Sequence, residues 1–263
     1  MKKSIRIAIL IFGLNLSAFS QNLSGIATYK SFVKTYIELD SVQMSSELRE
    51  QVEQILRSQT QKEYELLFTE HESLFQEKES LASPDFDRSN VTIMRTGGVG
   101  KLYINRAENS FVNQTEILGK EFLVMDSLPN QEWRLEKETK NIGEYTCFKA
   151  TRTIQTSNEE STEIEEKLIT AWYTPQIPVP LGPKDYGGLP GLIIELQHKN
   201  TTYLCNQIVL NPKKAVSIQS PKKGTKVSQK EFDEILAKKT EERKEMFPSK
   251  SGVEVKVEVK KLN

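Results

Sequence analysis

The chain has 263 residues, with 36 basic and 36 acidic side chains that leave a formal net charge of zero at pH 7. This balance, without a basic face in the sequence pattern, argues against nucleic acid as a partner. Charged residues make up 27% of the chain. After the N-terminal segment no apolar run approaches the roughly twenty residues that span a membrane, so the mature chain should contain no transmembrane segment.

Residues 1–20 have the layout of a secretory signal peptide. Basic residues at the start precede the apolar run Ile7–Leu16, and small residues end the segment before Gln21. A retained membrane anchor is the alternative, but the run is too short to cross a bilayer. We therefore expect an exported protein, periplasmic, outer-membrane-associated or secreted, with a single domain over residues 21–263.

Three elements are predicted in the N-terminal part of this domain. β-Branched and aromatic residues indicate a first strand at Ile26–Phe32. Apolar residues at helical spacing predict an amphipathic helix over residues 44–58 whose stripe faces the core. Two apolar groups around the polar turn Glu70-His71-Glu72 predict a hairpin within Glu63–Phe75.

The middle of the chain is a series of short strand patterns separated by turn residues. Connections this short join antiparallel neighbours, because a parallel crossover needs a dozen or more residues. The predicted strands are Val91–Arg95, Lys101–Asn105, Ser110–Glu116, Glu121–Asp126, Trp133–Glu136 and Tyr145–Ile154.

The segment Ala171–Leu196, here named the central stretch, holds five of the ten prolines and four of the thirteen glycines. Each proline removes a backbone donor and fixes φ, so Pro175–Pro183 is expected to leave the sheet as an extended, polyproline-like segment. Strands are predicted at each end, Leu168–Tyr173 before the excursion and Leu192–Leu196 after it. Thr201–Leu210 is predicted to pair with the second of these strands.

The C-terminal part predicts a helix and a last strand. Ser228 and Glu231 have the capping-box spacing, so a helix should cover residues 229–246. The tail Val253–Val259 alternates strictly and predicts a strand, which could instead pair with the edge of another chain. The whole pattern predicts an α+β, mainly β fold: a large antiparallel meander sheet, with a half-open barrel as one form, and the two helices packed on it.

The two cysteines, Cys147 and Cys205, each lie in a strand pattern. An exported chain can keep a disulfide, and in the chain-entropy model a bridge across a loop of this length stabilises by about 4 kcal/mol. Two buried free thiols in neighbouring strands are the alternative, because spacing alone cannot show that the Cα atoms come within about 7 Å.

No sequence pattern identifies a catalytic residue. His71 and His198 are the only histidines and no HxxxH or CxxC spacing occurs, so neither a metal nor a cofactor is expected, and both histidines are interpreted as exposed turn residues. Gly97–Gly100 is interpreted as a tight turn rather than a phosphate loop. Asp185 and Glu195 are the acids near the central stretch that could carry acid–base chemistry.

The residues Gly188, Leu189, Pro190, Gly191, Leu192 and Ile193 resemble the signature of the GLPGLI family, exported proteins of the Bacteroidota that are also described as a Porphyromonas gingivalis family. The resemblance extends to Ile142–Ala150 and, more loosely, to Tyr64–Gln76. It implies a secreted, β-rich protein of the envelope or periplasm. It supplies no catalytic residue, because members of the family have no assigned biochemical role.

Two interpretations of the central stretch remain open. In one, its prolines and aromatics form a rigid plug that closes one end of the sheet. In the other, a stiff loop borders a groove for a ligand or partner, because a preformed loop binds at lower entropic cost. The residues of this predicted groove are Trp172, Tyr173, Lys184, Asp185 and Tyr186.

The expected function is a non-enzymatic envelope module that binds a small apolar ligand, or an outer-membrane or other envelope protein. The alternative is a periplasmic hydrolase that uses carboxylates near the central stretch. A deep apolar cavity would favour the module, and paired buried acids in a cleft would favour the hydrolase.

Overall fold

The computed structural model describes residues 23–33, 61–78, 100–157 and 164–246. The signal segment, the helix predicted at 44–58 and the strands predicted at Val91–Arg95 and Val253–Val259 lie outside these ranges. Within them the protein is mainly β, with one long open sheet and one helix, which confirms the predicted fold class.

The described strands follow the order that the sequence pattern predicts, with several differences in their bounds. The eighth strand ends at Ser157 instead of Ile154, and the ninth begins at Ile164 instead of Leu168. The seventh strand runs on to Ile142 instead of ending at Glu136, and a three-residue strand precedes the helix. The strands are β1 (Gly25–Val33), β2 (Gln61–Phe68), β3 (Glu72–Glu77), β4 (Lys101–Asn105), β5 (Ser110–Ile117), β6 (Lys120–Ser127), β7 (Arg134–Ile142), β8 (Tyr145–Ser157), β9 (Ile164–Thr174), β10 (Leu192–His198), β11 (Thr201–Leu210) and β12 (Thr225–Val227).

All described strands belong to one sheet in the order β12-β6-β5-β4-β3-β2-β1-β11-β10-β9-β8-β7. Most neighbours are joined by hairpins, as a meander requires. β1, at the centre, is an exception: it pairs with β2 on one side, but its partner on the other side is β11, which is distant in the sequence. β12 is the exception at the edge, because it lies parallel to β6.

The connection from β6 to β7, residues 128–133, requires the sheet to curl. β7 is one edge of the sheet and β6 is next to the other edge, so ten strand intervals separate them. In a flat sheet these intervals would cover about 48 Å, whereas seven Cα steps reach at most about 25 Å. The sheet therefore bends its two sides towards each other and remains open.

The concave face of the curled sheet carries the core. Alternate residues of the strands point into it, and an aromatic cluster forms where β1, β2, β3 and β11 meet. The rings of Tyr64 and Phe75 stack with centroids 5.0 Å apart, and Tyr203 packs against both. Tyr29 is fully buried and its hydroxyl donates to the carbonyl of Ile193 at 2.7 Å, which ties the central stretch to β1.

The central stretch leaves the sheet after β9, as predicted, but it is not a polyproline helix. Val179 N–H donates to the Ile177 carbonyl and Leu181 N–H donates to the Val179 carbonyl, both at 2.8 Å. Each of these bonds spans three residues with a proline in the middle, which is an inverse γ-turn. Proline suits this turn because its fixed φ near −65° is close to the value that the central residue needs.

The γ-turns point alternate aliphatic side chains into the core. Ile177, Val179 and Leu181 are all almost fully buried, whereas Pro178 is exposed. A third turn of the same kind covers Leu189-Pro190-Gly191. Leu192 and Ile193 then donate back to the carbonyls of Ile177 and Leu181 at 2.9 Å, so the excursion is hydrogen-bonded to its own exit strand.

Two glycines of the central stretch allow close approach of the backbone. A Cβ on Gly191 would overlap the backbone of Thr174, and a Cβ on Gly187 would overlap the Arg106 guanidinium and the Pro180 carbonyl. Glycine is needed at both positions because nothing larger fits between these groups.

The helix α1 (Gln229–Met246) begins where the capping box predicts. Ser228 N–H donates to the Glu231 carboxylate at 2.8 Å, and Glu231 N–H donates to the Ser228 hydroxyl at 3.3 Å. Phe232 packs on Phe122 in an edge-on contact and so fixes α1 to β5 and β6. No helix in the described residues combines the length and apolar character of a membrane-spanning segment.

We expect Leu189→Ala to lower the free energy of unfolding by about 2–5 kcal/mol, because it removes a side chain that is only 1% exposed in the core. The neighbouring substitution Pro190→Ala is the control. Pro190 is exposed, so its loss should change stability by no more than about 1 kcal/mol. Urea unfolding of both variants checks this, and equal losses would contradict the buried role of Leu189.

Candidate functional site

The connection between β6 and β7 holds the tip of the central stretch. The side-chain amide of Gln131 donates to the Asp185 carbonyl at 2.6 Å and accepts from Gly187 N–H at 3.3 Å. The indole N–H of Trp133 donates to the Gly187 carbonyl at 2.9 Å. Lys184 has a positive φ of 57°, which marks the tight turn that brings Lys184 and Asp185 to this place.

A cavity of about 510 Å³ lies between this tip, β4–β6 and the start of α1. We name it the tip pocket. Its apolar walls are Leu102, Phe111 and Pro129, and the polar residues that line it are Asn113, Asp126, Ser127, Lys184, Asp185 and Gln229. Its volume falls within the range of about 300–1,000 Å³ that is usual for small-molecule sites.

The carboxylate of Asp126 is already hydrogen-bonded within the protein. It accepts the backbone N–H of Ser127 at 2.8 Å and that of Gln229 at 3.3 Å, and these bonds hold the pKa of Asp126 below its usual value. Gln229 is the first residue of α1, so Asp126 meets the positive end of the helix.

Lys184 reaches from the pocket into the core. Its Nζ lies 5.4 Å from the ring centroid of Tyr203, a cation–π distance. Burial lowers the pKa of Lys184, and the negative charge of Asp185 partly offsets this effect.

Tyr186 and His198 form a hydrogen-bonded pair behind the turn. The Tyr186 hydroxyl lies 3.0 Å from Nδ1 of His198, and Nε2 of His198 is buried without a partner in the described structure. Burial first, and then the charges of Lys184, Lys199 and Lys167, lower the pKa of His198 to about 4. The prediction of an exposed turn histidine is wrong for His198, whereas His71 is exposed.

The structure divides the predicted groove between two faces of the sheet. Lys184 and Asp185 line the tip pocket, whereas Tyr173 and Tyr186 are buried in the core. Trp172 is next to Tyr173 in β9 and so points to the opposite face. There the Nζ of Lys140 lies 4.3 Å from the centre of the Trp172 ring.

The two acids of the predicted hydrolase do not share a site. The Glu195 carboxylate accepts from Lys140 Nζ at 2.6 Å and from the Gln197 amide at 2.7 Å on the Trp172 face. Asp185 lines the tip pocket instead. Across the described ranges, no group of three or more His, Cys, Asp or Glu side chains is placed to hold a metal ion.

The two cysteines are buried free thiols in this structure, which corresponds to the second of the two alternatives for the pair. Burial raises the pKa of Cys147 to about 11 and that of Cys205 to about 12. Thiols with such pKa values carry little thiolate at neutral pH and are poor nucleophiles.

The sequence patterns predicted Lys184 and Asp185 as site residues. They predicted none of the residues of the tip pocket that come from β4–β6 and α1. One signal was available. Phe111, Asn113 and Thr115 share a face of β5 because the side-chain period of a strand is two, and that face leads to the buried Ile117. An asparagine on a core-facing row of a strand indicates a polar requirement at that place.

Comparisons with known proteins place part of this chain in context. Residues 133–195 match a family described as "Protein of unknown function (Porph_ging)", and this match includes Trp133, most of the central stretch and the strands between them. No curated protein matches the chain.

Crystal structures of PNGF-II in the C2 and P21 space groups are similar in part. Both share 16% sequence identity with this chain and cover 82% of it, with TM-scores of 0.49 and 0.48. This chain spans 33% of the length of the PNGF-II chain.

Acidification should destabilise the protein through His198. The pKa of His198 is about 4 in the folded protein, below the ordinary value of 6.5, so between these two pH values the unfolded state binds more protons. The free energy of unfolding therefore falls as the pH drops through this window. We expect His198→Gln, which can still bond Tyr186 but does not titrate, to show a flatter fall between pH 7 and pH 4 in urea unfolding. Parallel curves for the two proteins would contradict the assignment.

We expect both thiols to be unreactive in the native protein and reactive after unfolding. With Ellman's reagent at pH 8 and no reductant, we expect no fast reaction of the folded protein, because both sulfurs are buried. In denaturant both cysteines should react. A denatured, unreduced protein without reactive thiols would instead show a disulfide.

Proposed function

We propose that this protein is an exported, non-enzymatic module that holds a small ligand in the tip pocket. The observation that carries the proposal is the pocket itself: apolar walls at Leu102, Phe111 and Pro129, and polar groups at its tip and rim, around a volume of about 510 Å³. A mostly apolar cavity with few polar groups is the usual form of a small-molecule site.

The rigidity of the pocket supports the same function. Gln131 and Trp133 fix the backbone of the Lys184–Gly187 turn through three hydrogen bonds. A site that is ordered before binding loses less conformational entropy when the ligand arrives. A hydrolase is the weaker candidate, because Glu195 is bonded to Lys140 on the Trp172 face whereas Asp185 lines the tip pocket.

We further propose membership of the GLPGLI family and residence in the bacterial envelope. The hexapeptide at Gly188–Ile193 supports the first proposal, and the signal-like layout of residues 1–20 supports the second. Fractionation of cells that make the full-length chain tests export: recovery of protein cleaved near Gln21 outside the cytoplasm supports it, and uncleaved cytoplasmic protein contradicts it.

A neutral apolar dye tests the pocket. We expect N-phenylnaphthylamine to gain fluorescence with the wild-type protein and to lose most of this gain with Leu102→Trp, because the indole fills the cavity. Leu135→Trp is the matched control, since Leu135 is 56% exposed and lies outside the pocket lining.

The position of Leu102 in the core makes a second variant necessary. Ser127→Trp adds the same ring at the exposed rim of the pocket, where it should not disturb folding. Thermal melting identifies variants that remain folded. Equal dye binding by the wild type and by a folded Leu102→Trp or Ser127→Trp variant would contradict a ligand site here.

A further inference from the structure

Two acceptor groups of the tip pocket have no hydrogen-bond partner among the described residues. In the described part of the chain the carboxylate of Asp185 makes no hydrogen bond or ion pair, although its backbone carbonyl is held by Gln131. The Oδ1 atom of Asn113 is buried and also lacks a hydrogen-bond partner among the described residues. Unmet acceptors that line a pocket favour a ligand that donates hydrogen bonds.

The backbone donors at the rim of the pocket are already used. Ser127 N–H and Gln229 N–H both donate to Asp126, and the side-chain amide of Gln229 donates to Asp233 at 2.8 Å. These donors are therefore taken up within the protein, whereas the Asp185 carboxylate and Asn113 Oδ1 can still accept from a ligand.

The charges of the residues that line the pocket also favour a cationic ligand. Within the described ranges, Asp126 and Asp185 outnumber Lys184, the one basic residue that lines the pocket. The ammonium of Lys184 lies over the Tyr203 ring. A positively charged ligand group close to Asp185 would restore the charge balance of the pocket.

The apolar walls of the pocket determine which apolar group the ligand can carry. Leu102 and Phe111 come from neighbouring strands β4 and β5, and Pro129 faces them from the β6–β7 connection. These walls can cover a ring or a short alkyl chain, and the ring of Phe111 also suits a nearby cation.

We infer that the ligand of the tip pocket is an organic cation with an apolar body, whose ammonium or guanidinium group donates to the Asp185 carboxylate. The apolar body lies on Leu102, Phe111 and Pro129. This inference rests on the proposed function and names the chemical class of its ligand.

Three probes with the same ring and different charge test the inference: benzylammonium, benzyl alcohol and benzoate, titrated at pH 7 and low salt by ligand-observed NMR. We expect the cation to bind at least about fivefold more tightly than the neutral alcohol, as a charge-assisted hydrogen bond in a half-buried site allows. Benzoate should bind more weakly than the alcohol. The preference for the cation should shrink at 1 M NaCl because salt screens the pair.

The isosteric substitution Asp185→Asn keeps the shape of the turn and removes the charge. We expect it to abolish the preference for benzylammonium while binding of benzyl alcohol stays within about twofold, since the apolar walls are unchanged. Glu144→Gln is the matched control, because it removes one negative charge at an exposed site outside the pocket lining. This variant should keep the wild-type preference.

The outcomes separate the ligand class from the function. Equal binding of the three probes, or tighter binding of benzoate, overturns the cation assignment even where Leu102→Trp still blocks the neutral dye. A cation preference that survives Asp185→Asn also overturns it. Failure of the neutral dye and of every probe to bind overturns the proposed function itself.

Discussion

The fold depends on one constraint: residues 128–133 must join β6 to β7, which lie on opposite sides of the sheet. The sheet can satisfy this only by curling, and a curled sheet needs apolar material on its concave face. The central stretch supplies it with Ile177, Val179, Leu181 and Leu189, each at most 2% exposed. A fully buried aliphatic side chain contributes about 1.5–3 kcal/mol, so residues 175–191 are part of the core although they contain no regular strand.

The candidate site lies where the apolar part of the central stretch ends. The aliphatic γ-turn segment is succeeded by the turn Lys184-Asp185, whose polar side chains cannot continue the core without a large desolvation penalty. Space is left between this turn and β4–β6, and the tip pocket occupies it. The same hydrogen bonds from Gln131 and Trp133 that hold the connection also position Asp185. Structure and candidate function therefore share one set of contacts.

Local features of this protein were predictable from sequence, and contacts between distant segments were not. The capping box of Ser228 and Glu231 and the hairpin within Glu63–Phe75 depend on neighbouring residues, and both are present. A fixed proline φ suits a polyproline helix and a γ-turn almost equally, so only the tertiary contacts of the central stretch distinguish them.

The adjacent Trp172 and Tyr173 in a predicted strand had to face opposite sides, which already argued against one shared groove. The pocket itself brings β4–β6 together with Lys184 and Asp185, about 60 to 80 positions later, and no local pattern reports that contact.

The central position of β1 has a consequence for synthesis of the chain. Gly25 pairs with Phe68 on one side and with Leu210 on the other, so one side of β1 has no partner until β11 has left the ribosome. During that time β1 offers an open row of backbone donors and acceptors, the feature that promotes pairing between chains. The pairing of β1 with β11 also closes a very long loop, which slows folding because the entropic cost precedes the gain in contacts. β1, the first strand of the described residues, is thus among the last to be completed.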